Sequence, residues 1–396
     1  MKLAPQQPQI HLNYGSLLAA QKRFGESESA YRRALELNPE SLGAWSNLGV
    51  LLACLKRDEE AEKCYRTAMA IDPSYRNAPF NLSYLLLRQG RYEEGWNCLE
   101  ARDWYAPLEN YLKCPRWQNE SLEGKSLLIG FEVGHGDMIQ FCRYAGLAKE
   151  KGASRVSVLC HPGLKSLFTR LQGADEAIAF DEPFSASGWD YWTPLFSLPF
   201  LFKTRLNTIP ANLPYLTAEP EKIRYWTSLI GQPQEDLRVG LVWKGNPKFE
   251  NDADRSLSSL AMLSPLKEVM GVRYFSLQKG SGEEEAAHCA KFPSLKDLGP
   301  CIVDYSDTAA IVMNLDLVVT VDTGVAHLTG ALGKPCWVLL PDYKTDWRWL
   351  KDRTDSPWYP GVMRLFRQPS TGHWAPVVAE VAAALQNLVA ERRRHT

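Results

Sequence analysis

The segment Gly134-His135-Gly136-Asp137 sets two glycines and a carboxylate within four positions. It follows a short apolar run and opens a helical stretch. Glycines there let the backbone approach a ligand closely, and the N–H groups of a helix N-terminus attract negative charge. Asp137 reads in two ways: as a cap on its own helix, or as a carboxylate at a strand's carboxyl end that takes a proton from an acceptor hydroxyl. Ile139 stands where the third glycine of a G-x-G-x-x-G fingerprint would be, which disfavours a nicotinamide cofactor.

A second constellation is Asp322-Thr323-Gly324-Val325-Ala326-His327, again strand, tight turn, then helix. Backbone N–H groups and a hydroxyl at a helix start are the machinery for holding a diphosphate. His327 reads either as a packing residue or as a ring on the turn facing those phosphates. The third is a group of polar residues after two further strands: Lys244 and Asn246, then Arg255 along the loop, and Gln278-Lys279-Gly280. Cations at the carboxyl ends of adjacent strands suit neutralisation of a leaving diphosphate, although any one of them alone reads equally as a solvated surface charge. Asp252-Ala253-Asp254 has the letters of a metal-binding D-x-D pair, but it lies in a polar loop and reads as a solvated turn. No metal and no cofactor is expected.

The elements that must position these groups alternate. Apolar runs at 126–130, 155–160, 177–180 and 190–193 read as strands, with a helical stretch at 137–151 between the first two. A helix is expected at 225–235, leading into a hinge. A second series follows, with strands at 238–243, 272–277, 301–303, 317–321 and 336–340 and helical segments at 260–269, 308–314 and 325–332. These are two Rossmann-like halves in tandem, and such sheets bind ligands outside the carboxyl ends of their strands. The stretch 377–394 is amphipathic and predicts a last helix packed on the second sheet.

Ahead of this lies a repeat. Trp45, Leu48, Gly49, Leu52, Ala61, Tyr65, Ala68 and Pro73 have the spacing of a tetratricopeptide repeat; one step of 34 residues back gives Gly15, Leu18, Tyr31, Ala34 and Pro39, and one step forward gives Leu82, Leu86, Gly95 and Pro107. Each unit is expected to be a helical hairpin, with small residues allowing close approach and the Pro stopping the second helix. The register aligns Asn13, Asn47 and Asn81 along the first helices. They read either as a ladder that binds the backbone of an extended acceptor peptide or as local helix packing.

The 396 residues are too many for one core, and 45% hydrophobic with 23% charged residues fits a folded chain rather than a disordered one. With 45 Lys and Arg against 46 Asp and Glu, no bulk field draws in nucleic acid or an anionic membrane. Nine cysteines without a C-x-x-C pair predict reduced thiols. No apolar run is long enough to span a bilayer and no signal peptide is read, so the chain is expected in the cytoplasm. The expected domains are repeats at 1–112, a linker at 113–124 and two Rossmann-like domains at 125–222 and 223–396, the latter ending in the terminal helix.

On Gly136-Asp137 and Asp322-Thr323-Gly324-Val325-Ala326-His327, the segment from about 125 to 367 resembles the heptosyltransferase-type glycosyltransferases of the GT-B fold. With its repeats, the whole chain is similar to bacterial tetratricopeptide proteins ending in such a module. The resemblance implies inverting, metal-independent transfer of a hexosyl or heptosyl group from a nucleotide-diphosphate sugar, bound by 223–396, to an acceptor hydroxyl on the acceptor-side domain 125–222, with a protein presented by the repeats as one reading of the acceptor. It implies Asp137 as general base and Lys244 and Arg255 meeting the charge of the diphosphate. Thr323, Gly324 and His327 would hold that diphosphate, Asp322 would contact the donor sugar, and Gln278–Gly280 would lie near the nucleoside. The loop after Trp243 departs from the lipopolysaccharide enzymes, with Arg255-Ser256-Leu257 in place of their Lys-x-Trp-Pro pattern. The alternative is an interaction scaffold whose nucleotide-binding module has lost turnover.

Overall fold

The computed structural model describes residues 6–232, 235–288, 292 and 294–395. They form two compact units: one runs up to Asp103 and includes Lys203–Asn207 and Asp346–Lys351, and the other takes the rest.

The first unit is three helical hairpins, Pro8–Ala20 with Phe24–Leu37, Leu42–Cys54 with Asp58–Ile71, and Asn77–Arg88 with Tyr92–Leu99. Glycine sets the closeness of each pair. A Cβ on Gly15 would lie 2.6 Å from the Tyr31 ring, and one on Gly49 2.5 Å from the Tyr65 ring. Arginine and glutamate repeat with the same period on the second helices: Arg57 bridges Glu28 and Glu60, and Arg91 bridges Glu62 and Glu94. Pro39 and Pro73 follow their helices as expected, but Pro107 does not close the third hairpin. That helix ends at Leu99, and Pro107 instead starts the helix Ala106–Tyr111, where its missing N–H costs nothing. The third hairpin is completed by the two later segments of its unit: Trp96 Nε1 donates to the Thr204 carbonyl at 3.0 Å, and the Trp96 and Trp347 rings meet edge to face at 5.3 Å.

The second unit holds two parallel sheets. The first has β1 (Ser126–Gly130), β2 (Arg155–Cys160), β3 (Glu176–Ala179) and β4 (Tyr191–Pro194) in the order β3-β2-β1-β4. The second has β5 (Leu237–Val242), β6 (Val272–Ser276), β7 (Lys296–Asp297), β8 (Leu317–Val321), β9 (Cys336–Leu340) and β10 (Met363–Arg367) in the order β10-β9-β8-β5-β6-β7. The helix Trp374–His395 lays Val377, Val378, Val381 and Leu385 into the core with Leu237, Val239 and Phe366.

Four expectations need correction. The strand placed at 301–303 is absent: Gly299–Cys301 is a 3-10 turn, and the edge strand is the two-residue β7. The helical segment at 260–269 is a 3-10 helix, Leu260–Glu268, with Pro265 inside it. The helix expected at 225–235 is Pro220–Ile230, and it stops before Gly231, whose φ of 99° suits glycine; residues 233 and 234 lie outside those described. The single helix at 137–151 is two, His135–Phe141 and Tyr144–Glu150. The break falls at Cys142-Arg143, where Arg143 turns inward.

Candidate functional site

The helix His135–Phe141 follows β1, and the helix Gly324–Ala331 follows β8. Their starts meet. A Cβ on Gly136 would lie 3.0 Å from Cδ2 of His327 and 3.3 Å from the Gly324 Cα, so Gly136 is small because the other half of the unit abuts it. Gly324 is tight as well, since a Cβ there would sit 2.6 Å from the Tyr305 hydroxyl. Two helix N-termini thus converge, and each dipole favours negative charge beside its own start.

Asp137 accepts a hydrogen bond from the Gly134 N–H through Oδ2 at 3.2 Å, so it does cap its helix. Its charge also reaches His161, raising that ring's proton affinity against the larger lowering caused by burial. Asp322, Thr323 and Gly324 are half-buried at the turn after β8. Thr323 is the N-cap residue, but its side chain does not bond the helix; Oγ1 meets Thr320 Oγ1 at 3.0 Å. His327 is buried, with Nδ1 2.9 Å from the Tyr359 hydroxyl.

The third constellation gathers after β5 and β6, in two clusters. Lys244 Nζ is hydrogen-bonded to Glu285, and Arg255 Nε donates to Asp252 at 3.1 Å while its guanidinium lies 4.3 Å from the Phe249 ring centroid. Asp252 is itself buried and also accepts from Ser256, so the expected solvated turn is a short helix, Asp252–Arg255, that fixes Arg255. Lys279 pairs with Glu283 and donates to the Gly299 carbonyl. Gln278 is buried and spends its amide internally: Oε1 accepts from the N–H groups of Trp243 and Lys244, and Nε2 donates to the carbonyls of Lys244 and Ser281. It shapes the turn rather than facing outward. Asn246 is exposed and accepts from the Lys248 N–H, and Gly280 turns with a φ of 73°. Of the asparagine row, Asn47 donates to Ser16 and Asn81 to Ser46, each in the preceding hairpin, and Asn13 accepts from Gln9.

Sequence reasoning passed over Arg143. It is buried and donates to the carbonyls of Gln140, Pro210 and Trp358 and to the Tyr215 hydroxyl, with its guanidinium over the Tyr215 and Tyr359 rings. Tyr359 in turn holds His327. Inside a helical stretch an arginine reads as a solvated charge, and nothing local signals partners up to 215 residues away.

His135 stacks on His161 at 4.0 Å and on Tyr305 at 5.2 Å. Burial, with a smaller contribution from His161, pushes His135 down to about 4. The fold therefore holds it neutral, while in the unfolded chain it gains a proton as the pH falls below about 6.5. Stability from this ring is fully present above that value and is lost as the pH drops toward 4. We expect a loss on the order of 1–2 kcal/mol by pH 5, discounted for the ring's partial exposure. Melting curves at pH 7 and pH 5 check it: His135→Phe should narrow the difference between them, and parallel behaviour of the two proteins would count against it.

Among the described residues, no helix is long and apolar enough to cross a membrane, and no group of three or more His, Cys, Asp or Glu side chains is placed to hold a metal ion. Residues 6–74 match the family model of the tetratricopeptide repeat. A curated relative, Protein FlbA of Caulobacter vibrioides, is 25% identical over 296 residues, covering 69% of this chain; the chain spans about half (48%) of that relative's length. Among solved structures, the glycosyl transferase family 9 protein from Veillonella parvula aligns with a TM-score of 0.51 at 13% identity, over 69% of this chain and 100% of that one. ADP-heptose lps heptosyltransferase II of E. coli aligns with a TM-score of 0.46 at 15% identity, over 66% of this chain and 99% of that one. The chain thus carries tetratricopeptide repeats ahead of a two-lobed module that shares the GT-B fold of the family-9 glycosyltransferase structure.

Proposed function

We propose that the two-lobed module transfers a sugar, with inversion and without a metal, from a nucleotide-diphosphate donor to an acceptor hydroxyl, and that the repeats bring in a protein carrying that acceptor. The observation that carries this reading is the approach of Gly136, the chain neighbour of Asp137, to Gly324 and His327. A diphosphate at the Thr323–Gly324 helix start would gain its dipole, with the Asp137 carboxylate across from it to deprotonate the incoming hydroxyl. Lys244 and Arg255 would stabilise the leaving charge once they exchange Glu285 and Asp252 for phosphate oxygens.

That exchange also marks the competing reading. Each of Lys244, Arg255 and Lys279 already has a carboxylate partner, as suits a scaffold that binds without turning over. A panel of nucleotide sugars separates the two. Thermal protection of about 2.7 kcal/mol at a hundredfold excess over the dissociation constant, together with release of nucleoside diphosphate, is expected for the transferase. Protection without release across the panel would favour the scaffold, and protection by none would remove both.

A further inference from the structure

The helix Pro8–Ala20 carries Ile10, Tyr14 and Leu17 four and three places apart, which sets them in one stripe along its length. Tyr14 keeps 38% of its surface exposed and Leu17 55%. One and two repeats later the same positions are closed: Leu48 and Leu51, then Leu82 and Leu85, are at most 3% exposed. They are buried because the first helix of each later hairpin packs on the second helix of the hairpin before it, within one shared core. Tyr14 and Leu17 thus stand at repeat-to-repeat interface positions but face outward, where a terminal repeat ordinarily shows a polar face.

The charges break off at the same edge. Arg57 and Arg91 each bridge a glutamate of their own hairpin and one of the hairpin before, Glu28 and Glu62 respectively. Arg23 is their counterpart one repeat earlier. It pairs with Glu26 of its own hairpin, and among the described residues no second carboxylate reaches it.

Both features fit one occupant. The second helices that cover these positions share a spacing, a glutamate followed after three, six and seven residues by apolar side chains: Glu28 with Tyr31, Ala34 and Leu35, and Glu62 with Tyr65, Ala68 and Met69. A second copy of the chain offers no such face. Its Phe24–Leu37 and Asp58–Ile71 are each covered by the next hairpin, and in Tyr92–Leu99 the Trp96 ring is 1% exposed, held by Thr204 and Trp347.

We propose that the Ile10–Tyr14–Leu17 stripe, with Arg23 beside it, is a docking edge for an amphipathic helix of a partner protein, one that carries this glutamate-led spacing and extends the stack by one element. The edge does not depend on the transferase reading, and its test needs no sugar donor.

The probe is a synthetic peptide of residues 24–38 of this chain, held helical by a hydrocarbon link between positions 29 and 33, whose side chains are exposed in the protein. Fluorescence anisotropy follows its binding to the full chain. Saturable binding is expected, weakened about tenfold or more by Leu17→Glu in the chain, a change at an exposed position that should leave the melting temperature in place. Glu28→Arg in the peptide should weaken binding about three- to fivefold, and Arg23→Glu in the chain should restore it. No binding by the linked peptide, equal binding by a scrambled one, or binding that survives Leu17→Glu would each overturn the assignment. In sedimentation the full chain should run as a monomer; self-association abolished by Leu17→Glu would make a second copy the occupant and remove the partner helix.

Discussion

Asp137→Asn should slow sugar transfer about 10²–10⁴-fold, the range general-base catalysis usually supplies. The substitution is chosen because Asp137 has two jobs. Its Oδ2 accepts the Gly134 N–H, and the amide oxygen of Asn can accept that same bond. What Asn lacks is the basic oxygen and the negative charge. Asp137→Ala removes the cap as well and should cost about 0.5–2 kcal/mol of stability in addition. Comparing the two therefore separates the roles: a melting temperature preserved in Asn and lowered in Ala reports the cap, and turnover lost in both reports the base. Full turnover in the Asn variant at an unchanged melting temperature would leave Asp137 as a helix cap only.

The same residue shows how far the sequence could be read. Asp137 stands out through local spacing, and so do Gly15, Gly49, Tyr31 and Tyr65, because each contact lies within one hairpin or one strand-turn-helix unit. The repeats and most strands were legible for this reason. The purpose of Gly136 was not. Sequence suggests that it admits a ligand, whereas its neighbours are His327 and Gly324 from the other sheet's helix. The strand placed at 301–303 failed because Val303 is apolar yet 88% exposed, while the real edge strand Lys296–Asp297 has no apolar pattern. A mutually packed cluster of three rings was equally hidden. Phe131, His161 and Phe180 are far apart in the chain and become one feature only once β1, β2 and β3 lie side by side. Likewise, the cations after β5 and β6 are visible by type, but that Glu285, Asp252 and Glu283 hold them is visible only in the structure.

Arg143→Met should be the most destabilising change in the two-lobed unit that leaves the converging turns themselves untouched. Methionine fills much of the same space but donates nothing, so the carbonyls of Gln140, Pro210 and Trp358 lose a charge-assisted donor inside the protein. Each buried carbonyl left short costs about 1–3 kcal/mol, so the three together cost about 3–5 kcal/mol once they partly relax toward other donors. At 2–4 °C per kcal/mol for a unit of this size class, the melting temperature should fall by roughly 6–20 °C. Arg143→Lys should recover only part of this, because an ammonium cannot spread its donors across several acceptors in the plane of a fork or lie flat over Tyr215 and Tyr359. The effect should also reach the site. Tyr359 bonds His327 and also packs on Gly330, where a Cβ would lie 2.4 Å from its ring. Once Arg143 no longer holds Trp358 and Tyr359, the helix Gly324–Ala331 loses its backing, and nucleoside diphosphate should bind more weakly even below the melting transition. A variant that melts early but binds the diphosphate as the unaltered chain does would confine Arg143 to stability and detach it from the turn at Asp322.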